Sequence, residues 1–285
     1  MIVGTRSRWP VLTAFVIAAL SALLCVGCDS NPGILGGNTL MIGIKTDQPD
    51  LGYEEADGSY TGFDIDVAKY VAQSLGYSVQ EIVWVPVTSA DREQYLDENK
   101  VQLVVASYTI SQPRIVINGA HIIFAGPYLI AHQDVLVRAD NHSIRSVSDL
   151  RNSTVCSTNG STSAERLTQD FGQQWATTNL ELETSFSDCV ELLREGRVDA
   201  VSTDNAILIG YAQQDTGPAL RVLGLDFSDE PYGIGLSSSN ENVCPRINSI
   251  LRTMIKSGAW LKFLRIDFGS AASEFAQAPE QDTCP

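Results

Sequence analysis

Apolar positions along the chain switch between two periods. TLMIGIK (39–45) is a short apolar run of strand type. In GFDIDVAKYVAQSLG (62–76), Ile65, Ala68, Val71 and Leu75 recur at helical spacing, acids crowd the first turn and Gly76 stands where a helix stops. SVQEIVWVPV (78–87) predicts a strand. SADREQYLDENK (89–100) predicts a helix capped by Ser89, and VQLVVASYTI (101–110) a further strand. A second series follows DVLVR (134–138). SVSDLRNSTVCSTNGSTSAERL gives a short helix, a strand, and a Gly/Ser/Thr turn that opens another helix. SDCVELLREGRVDAVSTDNAIL repeats that order, with Ser187 as the cap, Gly196 as the stop and Ala200–Ser202 as a strand. PYGIGLSSS (231–239) reads as a returning strand. PRINSILRTMIKSGAWLKFL reads as one closing helix with Ile247, Ile250, Met254 and Ile255 on a shared face. Strand and helix in alternation predict an α/β protein with largely parallel sheets, in two lobes that the chain crosses near 130 and again near 228.

The N-terminus departs from this pattern. Arg6 and Arg8 precede an apolar stretch, Val11–Gly27, and then CVGCDSNPG. This is the layout of a secretory signal peptide over residues 1–27. Gly27 before Cys28 is lipobox-like, which makes Cys28 the expected acylated first residue of a mature lipoprotein, although Cys25 stands where a leucine is usual. An uncleaved membrane anchor is the alternative. Residues 28–38 would then be a lipid-anchored tether, leaving the remainder outside the membrane.

Charge narrows the partners. Of 285 residues, 34 are Asp or Glu and 19 are Lys or Arg. Such acidity argues against nucleic acid and against adsorption to anionic lipid. Beyond Cys28 there are four cysteines, Cys156, Cys189, Cys244 and Cys284, an even number in an exported chain. Three pairings are open to them. Joining sequence neighbours, Cys156–Cys189 and Cys244–Cys284, is the expected one, and the second bond would fix a polar tail. Zinc fits less well: there is no CxxC, and His121, His132 and His142 lie far from the cysteines in sequence.

VASYTISQPR (105–114) sets a single cation, Arg114, just past a strand and beside Ser107, Thr109 and Ser111. The end of a strand is where open α/β sheets bind ligands, and a guanidinium matches a carboxylate through two parallel bonds. Together with GFDIDVAKYVA, FAGPYL, STNGSTS, GRVDAVSTDNAIL and PYGIGL, this stretch resembles the extracellular solute-binding proteins of polar amino-acid ABC importers. The resemblance runs from about Thr39 to about Leu264. GIKTDQPDLG, TISQPR, VCSTNGST and SDCVELL look most like the actinobacterial glutamate-binding lipoproteins, in which the two cysteines of the last motifs are also found; that supports the 156–189 bond.

The resemblance implies a two-lobed periplasmic-binding-protein (Venus-flytrap) fold of type II, with mixed central sheets joined by two crossover strands. Lobe 1 would comprise 39–130 and 229–285, including the tail, and lobe 2 would comprise 131–228. It implies that Arg114 takes the ligand's α-carboxylate, helped by Ser107 and Thr109. Asp204 takes the ammonium; its other reading is a helix cap. Thr162 and Ser163, with Ser161, meet the carboxylate from the second lobe. Lys45 and Arg92 are candidates for a side-chain carboxylate, since an acidic protein must place its few cations locally to hold an anion. Asp47, which shares parity with Lys45, would bind the ammonium or orient Lys45. Tyr53 and Tyr108 could wall the pocket. Asp199 is expected only to brace a turn. Between Arg114 and FAGPY the chain has IVINGAHII, longer than the family usually allows.

The expected partners are a free L-amino acid of the glutamate or aspartate class, with glutamine and asparagine next, an ABC permease, and the membrane through the lipid; no cofactor or metal is called for. An extracellular amino-acid sensor is the main alternative. An enzyme on the same fold is a further one, but the sequence shows no nucleophile elbow and no HExxH, and Glu54 and Glu55 are adjacent rather than paired across a site.

Overall fold

A computed structural model describes residues 1–4, 34–115, 122–214, 217–281 and 284. Cys28, His121 and most of IVINGAHII lie outside them. The chain divides into an N-terminal unit, Met1–Asn31, and a body, Pro32–Pro285. Every element named below belongs to the body. No helix among the described residues is long and apolar enough to cross a membrane.

The elements of the first part are β1 (Leu40–Ile44), β2 (Asp47–Gln48), β3 (Gly52–Glu54), β4 (Tyr60–Thr61), α1 (Phe63–Leu75), β5 (Ile82–Pro86), α2 (Arg92–Asp97), β6 (Leu103–Val104) and α3 (Gln112–Ile115). A long strand, β7 (Ile122–Arg138), follows. Then come β8 (Val155–Thr158), α4 (Thr162–Phe171), α5 (Gln173–Asn179), β9 (Leu180–Glu183), α6 (Phe186–Arg194), β10 (Ala200–Asp204), α7 (Asn205–Gln213) and β11 (Leu220–Val222). The chain closes with β12 (Asp229–Ser237), α8 (Cys244–Lys256) and α9 (Ala259–Asp267).

The strands of the main sheet hydrogen-bond in the order β5-β1-β6-β12-β7-β10-β8-β9, with β11 also on β7, and β2-β3-β4 form a small second sheet. β1 runs parallel to β5 and β6, and β8 runs parallel to β9 and β10, as βα alternation requires. The exceptions are β7 and β12. β7 is antiparallel to β12 as far as His132, then antiparallel to β10 from Gln133 onward. One strand therefore serves both halves of the molecule, and β12 lies beside it where it crosses. The periodicity of β7 reflects this: FAGPYL is buried on both faces, like an inner strand.

Local chemistry sets the element ends. α1 buries Ile65, Ala68, Val71, Ala72 and Leu75, and Gly76 leaves it in the left-handed conformation. Four expected features shift. Val79–Glu81 form a one-turn helix rather than strand, because Ser78 and Glu81 make a reciprocal capping box. The cap of α6 is Ser185, not Ser187: its hydroxyl accepts the Asp188 N–H at 3.1 Å. Ser89 does not cap α2, which starts at Arg92; its hydroxyl accepts a hydrogen bond from Lys45 instead. The closing helix is two helices, because Gly258 is left-handed between α8 and α9.

Both disulfides form in the expected pairing. Cys156–Cys189 spans 33 residues and joins β8 to α6; Cys244–Cys284 spans 40 and ties the tail to α8. In the chain-entropy account each stabilises by roughly 3–4 kcal/mol. Asp199 braces a turn as expected, its carboxylate accepting the Thr154 N–H at 2.8 Å.

Candidate functional site

Among the described residues of the first half, three cations are buried: Lys45 just past β1 (3 % exposed), Arg92 at the start of α2 (2 %) and Arg114 in α3 (5 %). The Arg92 guanidinium lies 4.1 Å from the Tyr108 ring centre and that of Arg114 lies 5.1 Å from it. An aromatic face can hold a cation without neutralising it. Both arginines share one carboxylate, Glu93, whose Oε1 is 3.9 Å from Arg92 Nε and 3.4 Å from Arg114 Nε. Tyr108 donates its hydroxyl to the same oxygen at 2.8 Å. Lys45 donates to Ser89 Oγ at 2.9 Å.

The cost of this arrangement appears as proton affinity. Burial, then the positive charge of Arg92, lowers the Lys45 pKa to about 8. Burial, then Arg92, lowers Arg114 to about 10. Desolvation disfavours a cation, and like charges add to that penalty.

A loop holds these groups in register. Asp64, fully buried on α1, accepts the Ser107 N–H at 2.6 Å and the Tyr128 hydroxyl at 2.7 Å. Burial pushes its pKa up to about 6, against both of those hydrogen bonds. Ser107 has φ 43°, which turns the chain sharply after β6. Arg92 Nη1 donates to the carbonyl oxygens of Ala106 and Ser107 at 3.0 and 3.4 Å. Sequence reasoning expected Ser107 to help hold the carboxylate; the structure commits its N–H to Asp64.

The second half faces these cations with acids. Asp204 occupies the cap position of α7 but makes no capping bond. Its carboxylate instead accepts the Tyr232 hydroxyl at 2.6 Å and lies 3.4 Å from Ser163 Oγ. Burial and then the nearby Glu230 charge raise its pKa to about 7. Thr162 and Ser163 open α4, capped by the Ser161 hydroxyl. Thr162 Oγ1 lies 3.1 Å from Glu230 Oε2 and 3.5 Å from Thr109 Oγ1.

Arg114 already bridges the halves: Nη1 donates to Thr109 O at 2.9 Å and Nη2 to Gly160 O at 3.0 Å. Contact is close enough at two glycines that a Cβ would not fit. At Gly160 it would lie 2.7 Å from Ala90 Cα, and at Gly210 2.2 Å from Pro49 O. The halves are closed on each other.

The structure thus brings together Arg114, Thr109, Thr162, Ser163 and Asp204, with Lys45 and Arg92 beside Arg114. Asp47 goes elsewhere. Its Oδ2 accepts the N–H groups of Phe186 and Ser187 at 3.0 and 3.4 Å, and its carbonyl accepts the Tyr211 hydroxyl. An anion at a helix start is stabilised by the exposed N–H groups there, so Asp47 joins the two halves rather than orienting Lys45 or an ammonium. Tyr53 lines a separate cavity of about 730 Å³ with Asp47, Glu191 and Arg194, whereas Tyr108 does wall the cation cluster. Sequence reasoning missed Asp64, Glu93, Gln133, Arg166, Glu230 and Tyr232. Glu230 had a visible signal, immediately before PYGIGL. Arg166 had another: it lies four residues after Thr162, on the same helical face.

The family model for bacterial extracellular solute-binding proteins, family 3, matches residues 40–269. The chain belongs to this family. The glutamate-binding protein GluB of Corynebacterium efficiens is 34 % identical over 271 residues, covering 90 % of this chain and 89 % of that protein. The glutamine-binding protein of Geobacillus stearothermophilus is 32 % identical, covering 86 % and 98 %. Among solved structures, an ancestral arginine-binding protein bound to arginine superposes with a TM-score of 0.74 at 32 % identity, covering 82 % of this chain and 99 % of that one. The fold is therefore the two-lobed type II arrangement of this family, with β7 and β12 as its crossing strands.

Proposed function

We propose that this chain captures a free acidic L-amino acid, glutamate before aspartate, glutamine or asparagine, by closing its two lobes on it, and delivers it to the permease of an ABC importer. The lobes are taken as 39–130 with 229–285, and 131–228. The observation that carries the reading is a charge asymmetry across the closed cleft. Lys45, Arg92 and Arg114 are buried together, Glu93 is the one carboxylate in ion-pair range of either arginine among the described residues, and Arg114 faces Asp204. A zwitterion with its carboxylate on Arg114 and its ammonium on Asp204 satisfies both sides. Arg114 already lies within reach of the start of α4, so Thr162 and Ser163 complete the carboxylate's shell. A second carboxylate on the ligand would offset the surplus charge of Lys45 and Arg92, which favours glutamate over arginine. The glutamate-binding relative is consistent with that choice. No step of covalent chemistry is assigned to the site. Acylation of Cys28, outside the described residues, would hold the protein at the membrane.

Thermal unfolding in the presence of each of the twenty amino acids tests the reading. Glutamate is expected to give the largest stabilisation, about 2.7 kcal/mol at one hundred times its Kd. A larger shift with arginine or lysine would overturn the anionic assignment. Growth of cells with labelled palmitate, comparing the natural chain with Cys28→Ser, tests the anchor: the label should be lost in the variant.

A further inference from the structure

Both crossing strands place a buried polar side chain beside α4. Glu230 on β12 is 0 % exposed, and so is Gln133 on β7. Gln133 stands opposite Asp204 in the β7–β10 register. A single guanidinium reaches both: Arg166 Nη2 donates to Glu230 Oε1 at 2.9 Å, and its Nε donates to Gln133 Oε1 at 3.1 Å. The same two side chains return to the first turn of α4. Glu230 Oε2 meets the Thr162 hydroxyl at 3.1 Å, and Gln133 Nε2 donates to the Ser163 carbonyl at 3.2 Å and to Ser202 Oγ at 3.1 Å. Ser228 closes the ring by donating to Glu230 Oε1 at 2.7 Å.

We propose that Arg166 is the positioning residue of the hinge, tying β7 and β12 to the ligand-facing turn of α4 so that closure presents Thr162, Ser163 and Asp204 in register. The inference rests on the amino-acid reading for its ligand, but the network itself does not. Arg166 is about one-third exposed while Glu230 is fully buried, so the pair is anchored at the inner end and adjustable at the outer. Bending β7 against β12 changes the distance between Gln133 and Glu230, and the planar fork of arginine fixes that distance in a way that a lysine point charge does not. Arg166 also keeps Glu230 from acting on Asp204 as an uncompensated anion. The charged or titratable groups facing Asp204 are Glu230 and Tyr232 from β12 and Arg114 from α3, with the Ser163 hydroxyl from α4. Loss of the guanidinium therefore raises the proton affinity of Asp204 and weakens its hold on an ammonium at neutral pH.

Isothermal titration with L-glutamate across pH 5.5 to 9 tests this on the natural protein, Arg166→Gln, Arg166→Lys and Arg166→Gln/Glu230→Gln. Arg166→Gln should lose about ten-fold or more in affinity at pH 7, with the acid side of its profile moved to higher pH. Arg166→Lys should be intermediate. The double variant, which removes the uncompensated charge but keeps an acceptor for Thr162, should recover affinity, with the acid side of its profile back at or below its natural position. Natural affinity and profile in Arg166→Gln would overturn the proposal. So would a loss that the double variant fails to recover, with the pH profile unmoved, because that is what a merely structural arginine would give. If the natural protein binds no amino acid, the amino-acid reading fails while Arg166 remains testable without ligand. Arg166→Gln should then lose stability relative to the natural protein as pH rises, and the double variant should not; equal pH dependence in all would overturn it. Should Arg166→Gln not fold, the lysine variant carries the same comparison.

Discussion

Arg114 is buried, bonded to carbonyls of both halves, and held by ring and carboxylate rather than by a full counter-charge. Arg114→Ala leaves a bound carboxylate without its fork, which costs about 2 kcal/mol or more; glutamate affinity by calorimetry should fall about thirty-fold. The pH dependence follows from two groups. Lys45, with a pKa of about 8, attracts an anion only while protonated, so affinity falls as pH rises through that value. Asp204, held near 7, attracts an ammonium only while ionised, so affinity falls as pH drops through it. Calorimetry across pH should give a maximum between those values. Lys45→Met should remove the alkaline limb and leave the acid one. Arg114 and Asp204 stood out in the sequence because each lies near a strand end inside a recognisable motif, Asp204 as the last residue of β10. Asp64 was not: it reads as an ordinary acid in the first turn of α1, and only the fold turns it inward onto Ser107. Asp47 was misread for a related reason. Parity on a strand says which face a side chain takes, not whether a helix from the other half will meet it there.

Alternation of strand and helix was legible throughout because apolar periodicity survives in each element. Boundaries failed where two hydroxyl residues competed for one cap. Ser185 prevails over Ser187 because Asp188 stands three residues after Ser185, in capping-box spacing. Ser89 lost its role as a cap to a buried lysine that needed an acceptor. The doubling of the last helix turns on Gly258 alone. At α7, Gly210 reports on function. Alanine favours a helix interior by about 0.8–1.0 kcal/mol over glycine, so Gly210→Ala should leave the fold intact or firmer. Its methyl group would lie 2.2 Å from Pro49 O in the closed form. Affinity for glutamate should therefore drop at least ten-fold while unfolding temperature without ligand holds or rises; a variant that binds normally would show that α7 does not meet the β2 segment on closure.

Across the whole molecule, two lobes share strands β7 and β12; one brings the buried Lys45, Arg92 and Arg114 to the cleft and the other brings Asp204. A ligand drives closure only through its greater affinity for the closed form, which follows here from contacting both halves. The same charges make the ligand-free protein sensitive to pH. Asp204 has a folded pKa raised above its ordinary value, so its contribution to stability is full below about pH 4 and is lost as pH rises through about 7. An ammonium reverses that loss, so stabilisation by glutamate in thermal unfolding should grow from pH 5 to pH 7.5. The fold was legible over the span of the resemblance, from about Thr39 to about Leu264, because several motifs stand in a fixed order along the chain. The Arg166–Glu230–Gln133 ring was not, since it joins three elements far apart in sequence. A crystal structure of the protein grown with L-glutamate tests the central claim most directly. The account predicts the α-carboxylate on the Arg114 guanidinium, the ammonium on Asp204 and the side-chain carboxylate toward Lys45 and Arg92. Glutamate bound elsewhere, with Arg114 still donating only to Thr109 and Gly160, would contradict it.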